Sequence, residues 1–372
     1  MPRNALKKLP MLDDIANRYP FLDRYGHSLE LDRSIAFDQY GKEHSSPFID
    51  LTSIVIISAE RGNDTKKCVK SIFQATPEPF EIILSDVGSN RETLEIIMAL
   101  EDTHKNVHVI YNKQSTGTTG QRNQGIYFSR GEYLVLMDND VLVLPEWLQH
   151  LKETAAKDEK IGMVGAKLLR PEISNVYYCG CHTITLEKEG TVYGIGLTKS
   201  GQMANLGRYD PLAMLGGEVP WYTTTALLVK RKALFESGGF DDMVDGKGIF
   251  IANEDKDLSL NIRKTGYKIY YCPYAEAIHN HDYSKVDRKD SYHRKYRLRM
   301  EQIEKDTAYF VSKWNIKYMI EILPHEDNTK KWSGKKSSEQ PGRDAQQLRP
   351  VKLNLASSEL NRDIVTVRTL NA

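Results

Sequence analysis

Residues 138–140 read Asp138-Asn139-Asp140 at the end of the apolar run Tyr133-Leu134-Val135-Leu136-Met137. In a β-strand, residues i and i+2 share a face, so the two carboxylates can point together past the strand's end. Like charges held that close repel, and a divalent cation between them relieves the repulsion. Hard cations such as Mg²⁺ or Mn²⁺ take oxygen ligands and keep positions open for a substrate's phosphates. Taken alone, the tripeptide also fits a solvated acidic turn after a buried strand. A second acidic cluster, Asn253-Glu254-Asp255-Lys256-Asp257, can supply a carboxylate that takes a proton from a hydroxyl. Its competing reading is a helix N-terminus decorated with acids to suit the macrodipole. His279 and His281 follow the strand-like Lys268-Ile269-Tyr270-Tyr271 and an expected turn at Pro273. Either imidazole can complete a metal shell, and a pair of ordinary surface histidines is the alternative.

These groups need a scaffold that presents strand ends. Ser53-Ile54-Val55-Ile56-Ile57-Ser58 is rich in β-branched residues and fits a buried parallel strand. A helix over Thr65–Gln74 follows, then the strand Phe80–Asp86, a helix over Arg91–Glu101, the strand Val107–Tyr111, a helix near Thr119–Ser129 and the strand ending at Asp138. Such a βαβαβαβ series calls for a parallel sheet flanked by helices, with a ligand crevice at the carboxyl ends of its strands. Asp86 and Asp138 both stand at such ends. Further on, strands are expected over Ile161–Leu168 and Thr224–Val229, and helices from Arg231 to Ser237, from Asp257 to Lys264 and over Asp290–Trp314. Residues 174–220, rich in Gly, Tyr and Thr, suit hairpins or an acceptor-side loop.

The domain organisation expected is an N-terminal helical arm over 1–50, a main α/β domain over 51–285, a helical extension over 286–325 and a polar linker or disordered tail over 326–372. Among the 372 residues, 40% are hydrophobic, enough to bury a substantial core. Lys plus Arg total 51 against 50 Asp plus Glu, so the overall charge gives no reason to expect a nucleic-acid partner. Four cysteines are too few for a disulfide scaffold, and Cys179-Gly180-Cys181-His182 lacks a second ligand pair for zinc. No run approaches the roughly 20 apolar residues of a membrane span, and no signal-peptide core follows Met1. The expected location is cytoplasmic. The basic stretch Lys285–Arg299, with Tyr283, Tyr292 and Tyr296, is a solvated helix face, a cover for a diphosphate, or a peripheral contact with an anionic acceptor or the inner membrane face.

From Ser53 to about His281 the chain resembles the inverting family-2 glycosyltransferases of the GT-A fold, whose sheet is Rossmann-like and mostly parallel. Val55-Ile56-Ile57-Ser58-Ala59-Glu60-Arg61 is similar to that family's opening strand and turn, with Glu60 where Asn is usual. Asp86-Val87-Gly88-Ser89 matches its Asp-x-Gly-Ser loop. Gly117-Thr118-Thr119-Gly120-Gln121-Arg122-Asn123-Gln124-Gly125 is similar to its segment ending in Arg-Asn-x-Gly. Asp138-Asn139-Asp140 matches its metal-binding Asp-x-Asp, Gly238-Gly239-Phe240-Asp241-Asp242 its Gly-Gly-Phe-Asp-Glu, and Glu254-Asp255 its Glu-Asp, with Asn261 where Arg is frequent. The resemblance implies a nucleotide-sugar donor, most readily UDP, touched by Ser58, Glu60, Arg61, Asp86, Gly117, Arg122, Asn123, Asp138 and Asn139. It implies Mn²⁺ or Mg²⁺ on Asp138, Asp140 and His279. Asp255 becomes the general base, with Glu254 as the nearby alternative, and the acceptor a saccharide or glycoconjugate. Two other readings stay open: a nucleotidyltransferase, although Ser58-Ala59-Glu60-Arg61-Gly62 has one Gly where a phosphate loop needs several, and a catalytically silent sugar-nucleotide-binding protein.

Overall fold

The computed structural model describes residues 50–112, 115–180, 206–242, 247–280 and 300–315, with strands at 185–188, 191–195, 319–323 and 366–370. The N-terminal arm, Cys181, His281, the basic stretch at 285–299 and residues 324–365 of the tail lie outside the described residues. The elements in chain order are β1 (Thr52–Ser58), α1 (Gly62–Ala75), β2 (Phe80–Asp86), α2 (Arg91–Thr103), β3 (Val107–Tyr111), α3 (Gly117–Phe128), β4 (Tyr133–Asp138) and β5 (Val141–Val143). Next come α4 (Trp147–Ala156), β6 (Ile161–Leu169), β7 (Val176–Tyr178), β8 (Thr185–Lys188), β9 (Thr191–Ile195), β10 (Gly217–Glu218) and β11 (Ala226–Lys230). The series closes with α5 (Arg231–Ser237), α6 (Glu254–Lys264), β12 (Lys268–His279), α7 (Met300–Lys313), β13 (Met319–Leu323) and β14 (Thr366–Leu370). Within the stretch read as a tail, β14 pairs antiparallel with β13.

The main sheet runs β10-β12-β6-β11-β4-β1-β2-β3. Its β4-β1-β2-β3 half is parallel throughout, as the alternation of strands and helices predicts. β1 is buried along its whole length because helices cover both faces of the sheet, which is why its sequence is apolar without a period of two. Ile54, Ile56, Ile82, Leu84, Val135 and Met137 pack in one core with Val69 and Ile72 of α1 and Ile97 of α2. Each such side chain contributes about 1.5–3 kcal/mol by leaving water. The register aligns Ser58 with Asp86 and Ile57 with Asp138, so the three strands end level and their exits form one rim.

The other half is mixed. β11 lies between β4 and β6 and runs antiparallel to both, while β6 and β12 pair in parallel. β5 turns back directly after Asp140 and pairs antiparallel with the end of β12, putting His279 opposite Val141. Pro273 makes no turn: β12 continues through it to His279, and its register against β6 shifts between Cys272 and Glu276. A bulge there suits a proline, which has no N–H for the ladder.

Candidate active site

β4 delivers Asp138 to the rim, and the β5–β12 pairing brings His279 beside the turn that carries Asp140. The Asn280 N–H donates to the Asp140 carbonyl at 2.8 Å, locking turn to strand. One ligand atom from each of Asp138, Asp140 and His279 lies within 4.8 Å of the other two. His279 Nε2 is 3.4 Å from Asp140 Oδ1, and its ring lies 4.6 Å from that of Tyr177. Between them, the Asn139 amide donates to Thr65 Oγ1 at 2.9 Å, pinning the turn to α1. Behind it, burial pushes the Cys68 thiol pKa up, so this cysteine is an inert core group.

Two arginines serve this acidic rim. Arg61, in the left-handed conformation that begins α1, reaches Asp140 Oδ2 at 3.5 Å. Arg122 of α3 is 2% exposed and donates to Asp138 Oδ1 at 2.9 Å, while its other terminal nitrogen lies 3.6 Å from Glu254. One guanidinium therefore ties the metal-type carboxylates to the acidic cluster. Such a buried cation is tolerated because carboxylates on both sides compensate its lost hydration.

The acidic cluster is held by the loop ahead of it. Gly117 sits at φ +80° with the Phe250 carbonyl so close that a Cβ would stand 2.6 Å from it. Only glycine meets both demands. Thr118 N–H donates to the same carbonyl at 2.8 Å, so the start of α3 is stitched to residues 249–250. Asn253 then turns the chain at φ 66° into α6, whose first residues are Glu254 and Asp255. Asp255 Oδ1 accepts the Lys256 N–H at 2.8 Å. Burial is the main cause that raises its pKa, with Lys256 and Arg122 opposing it. A carboxyl raised in this way is a better proton acceptor near neutral pH than an exposed one. Asp86 is likewise raised by burial, against hydrogen bonds from the Ser89 side chain and the Ser89 and Gly88 N–H groups. Those two N–H groups both reach Oδ2, at 3.0 and 2.8 Å, and Oδ1 has no hydrogen-bond partner among the described residues.

A cavity of about 370 Å³ joins these groups. Of the residues expected at the site, Arg61, Gly117, Arg122, Asp138, Asn139, Asp140, Glu254, Asp255 and His279 line it. Ser58, Glu60, Asp86 and Asn123 are not among the lining residues, although Val87, next to Asp86, is. Asn123 holds the backbone N–H and carbonyl of Phe240 with its amide, at 3.1 and 2.9 Å. Glu60 accepts the Asn90 N–H at 3.3 Å, and the Ser58 hydroxyl lies 3.4 Å from that of Thr65. Sequence reasoning missed Tyr177, Tyr178, Trp221 and Ile303, which also line the cavity. The Tyr and Thr content of residues 174–225 was the available signal for the first three; Ile303 had none.

The sequence model of glycosyl transferase family 2 matches residues 53–234. Among curated proteins, the uncharacterized protein y4gI of Sinorhizobium fredii is 28% identical over 258 residues, 68% of this chain and 26% of that protein. The N-acetylglucosaminyl-diphospho-decaprenol L-rhamnosyltransferase of Mycobacterium tuberculosis is 24% identical over 247 residues, 63% of this chain and 78% of that one. The chain thus spans about a quarter of the first relative and about three quarters of the second. Among solved structures, the mannosyltransferase PcManGT from Pyrobaculum calidifontis, in complex with GDP-Man and Mn²⁺, covers 72% of this chain and 65% of its own at 14% identity and a TM-score of 0.46.

Proposed function

We propose, from the match of residues 53–234 to the model of glycosyl transferase family 2, that the protein is a metal-dependent, inverting glycosyltransferase that moves a sugar from a nucleotide-sugar donor to an acceptor hydroxyl. The observation that carries the reading is the single cavity lined by the Asp138–Asp140–His279 cluster and by Glu254 and Asp255. Two carboxylates and one imidazole within 4.8 Å fit Mn²⁺ or Mg²⁺, with oxygen donors suiting either ion and the imidazole favouring Mn²⁺. When bound, the cation supplies positive charge for the departing diphosphate.

The protein's own residues do the rest. Arg61 and Arg122, already paired with the acidic rim, add donors for the diphosphate. Asp86 does not line the cavity but adjoins Val87, which does, and its carboxylate oxygen without a partner among the described residues is the acceptor we assign to the base, with UDP the first candidate. Asp255 takes the proton of the acceptor hydroxyl as its oxygen bonds to the anomeric carbon on the face opposite the leaving group. The anomeric carbon–oxygen bond breaks, and its electron pair leaves on the β-phosphate. General-base help of this kind is worth roughly 10²- to 10⁴-fold. Glu254, beside Arg122, orients the site and is the alternative base. The Mycobacterium tuberculosis relative is named for transferring L-rhamnose to N-acetylglucosaminyl-diphospho-decaprenol, and it supports a saccharide or glycoconjugate acceptor in polysaccharide or glycoconjugate synthesis. Among the described residues no helix is long and apolar enough to cross a membrane.

A hydrolysis screen with UDP-, dTDP- and GDP-sugars, with Mn²⁺, Mg²⁺ or EDTA, tests the reading. Release of one nucleoside diphosphate, abolished by EDTA, is expected. Hydrolysis that persists in excess EDTA sinks the metal assignment, and no turnover by the wild type with any donor sinks the enzyme reading in favour of a binding protein.

A further inference from the structure

α7 lies beyond the 53–234 family match, yet its polar contacts converge on the loop that precedes the acidic cluster. Asp306 is wholly buried. Its Oδ2 accepts two consecutive backbone N–H groups, from Ile251 at 2.8 Å and Ala252 at 2.9 Å. Oδ1 accepts from Gln302 Nε2 at 2.7 Å. One residue on, Thr307 Oγ1 accepts the Asn253 amide at 3.1 Å. Lower on the helix, Tyr309 donates to Asp241 at 2.6 Å, Lys313 bridges Asp241 and Asp257, and Trp314 just past the helix donates to Asp257 at 2.7 Å. Ile303, one turn before Asp306, lines the cavity itself.

A helix whose polar contacts reach 251–253 just ahead of the acidic pair, Asp257 just after it, and Asp241 is more than a cover. Residues 249–253 have only an isolated bridge from Ile249 to Asp242, and the carbonyls of Ile249 and Phe250 are engaged by α3 through Thr119 and Thr118. Their N–H groups at 251 and 252 are part-buried and would lose their acceptor without Asp306, which would let the loop relax. Two and three residues beyond Ala252 stand Glu254 and Asp255. A shift of the loop by even 1 Å would carry both carboxylates away from the reacting hydroxyl while leaving Asp138, Asp140 and His279 in place, because those are fixed by β4, β5 and β12.

We propose that α7 is a working part of the active site and that Asp306 is a positioning residue, which sets the acid pair Glu254–Asp255 by gripping the two N–H groups ahead of it. This rests on the sugar-transfer reading for its effect on rate, and on hydrogen bonding alone for its effect on the loop. Asp306→Ala should lower kcat by about 10- to 100-fold, the usual consequence of an ångström-scale misplacement. The affinity for Mn²⁺ with UDP, dTDP or GDP, measured by calorimetry, should stay within about three-fold, since those ligands sit on the other rim. Asp306→Asn, which keeps an acceptor oxygen for the two N–H groups, should restore most of the rate. Hydrogen exchange should quicken at Ile251 and Ala252 in Asp306→Ala and not in the core strand β1.

Wild-type kcat in Asp306→Ala overturns the proposal. So does a loss of nucleotide affinity as large as the loss of rate, or exchange that quickens throughout the sheet, for the residue would then be holding the fold and not the acid pair. If Asp306→Ala cannot be obtained folded, Thr307→Val, which removes only the Asn253 bond, must show the same split between kcat and nucleotide affinity, and an unaltered kcat there refutes the role of α7. If the wild type turns over no donor, the sugar-transfer reading fails by itself, and the exchange rates of Ile251 and Ala252 alone decide whether Asp306 orders the loop.

Discussion

Arg122→Met removes a cation that touches both acidic groups, and its consequence divides between stability and metal binding. The guanidinium is 2% exposed and lies 2.9 Å from Asp138 and 3.6 Å from Glu254. Opposite charges centred about 4 Å apart attract by about 4 kcal/mol at an effective dielectric near 20. Desolvation of the buried guanidinium offsets much of that attraction, and breaking a buried pair while its partner stays costs about 3–5 kcal/mol. Here the partners left behind are 19% and 16% exposed and so keep part of their hydration. A loss of about 2–3 kcal/mol is therefore expected in the metal-free protein. For a domain of this size that lowers Tm by about 5–10 °C. The same change removes the group that competes with a cation for Asp138, so Mn²⁺ should bind the variant at least as tightly as the wild type and raise its Tm by more. Catalysis should still fall, because Glu254 loses its tether. Thermal unfolding followed by circular dichroism, in EDTA and in excess Mn²⁺, measures both effects. A variant that melts within about 1 °C of the wild type in EDTA, or one that Mn²⁺ stabilises less than the wild type, refutes the electrostatic reasoning.

Asp140→Ala should weaken Mn²⁺ and nucleotide binding together, since it removes one of two carboxylates from a shared site; calorimetry with each ligand alone and both combined checks this. Asp255→Asn keeps the shape of the side chain but cannot take a proton, so kcat should fall by roughly 10²-fold with nucleotide affinity within a few-fold; collapse in Glu254→Gln with full activity in Asp255→Asn would move the base one residue upstream. In the wild type the rate should fall as pH drops through the Asp255 pKa, which burial raises above the ordinary carboxylate value of 3.8. The sign for stability is opposite: a raised folded pKa favours the protonated fold, so this contribution is complete below the unfolded pKa and is lost as pH rises through the folded one. A kcat–pH profile whose acid limb vanishes in Asp255→Asn is the expected result. Gly117→Ala should cost both stability and rate, because the new Cβ would meet the Phe250 carbonyl at 2.6 Å in a left-handed backbone; an unchanged Tm would show that the 249–250 loop yields without penalty.

Local pattern was enough to read the parallel half of the sheet, because β1, β2, β3 and β4 are each specified by their own apolar runs and the helices between them by their own periodicity. Asp138 and Asp140 were legible for the same reason: a strand's end and a spacing of two are local facts. That His279 completes their cluster is not local. It depends on β5 reversing after Asp140 to pair with β12, where Val141 meets His279, 138 positions further along the chain, and no residue of either strand announces that partner.

The antiparallel insertion of β11 between β4 and β6 was likewise hidden, since a buried strand shows the same apolar run whichever way its neighbours point. Pro273 misled in the other direction, because proline's usual meaning as a turn signal is suspended where a bulge removes the need for its N–H. Arg122 and Asn123 show how much only packing decides. They are adjacent in the chain and in one motif, yet helical geometry turns the first to the acidic rim and the second to the Phe240 backbone. Composition and spacing determined which chemical groups this protein owns and that a strand's end would display two of them. Tertiary structure decided which groups share one cavity, because charge pairing, burial and the reach of α7 act between residues that the chain keeps far apart.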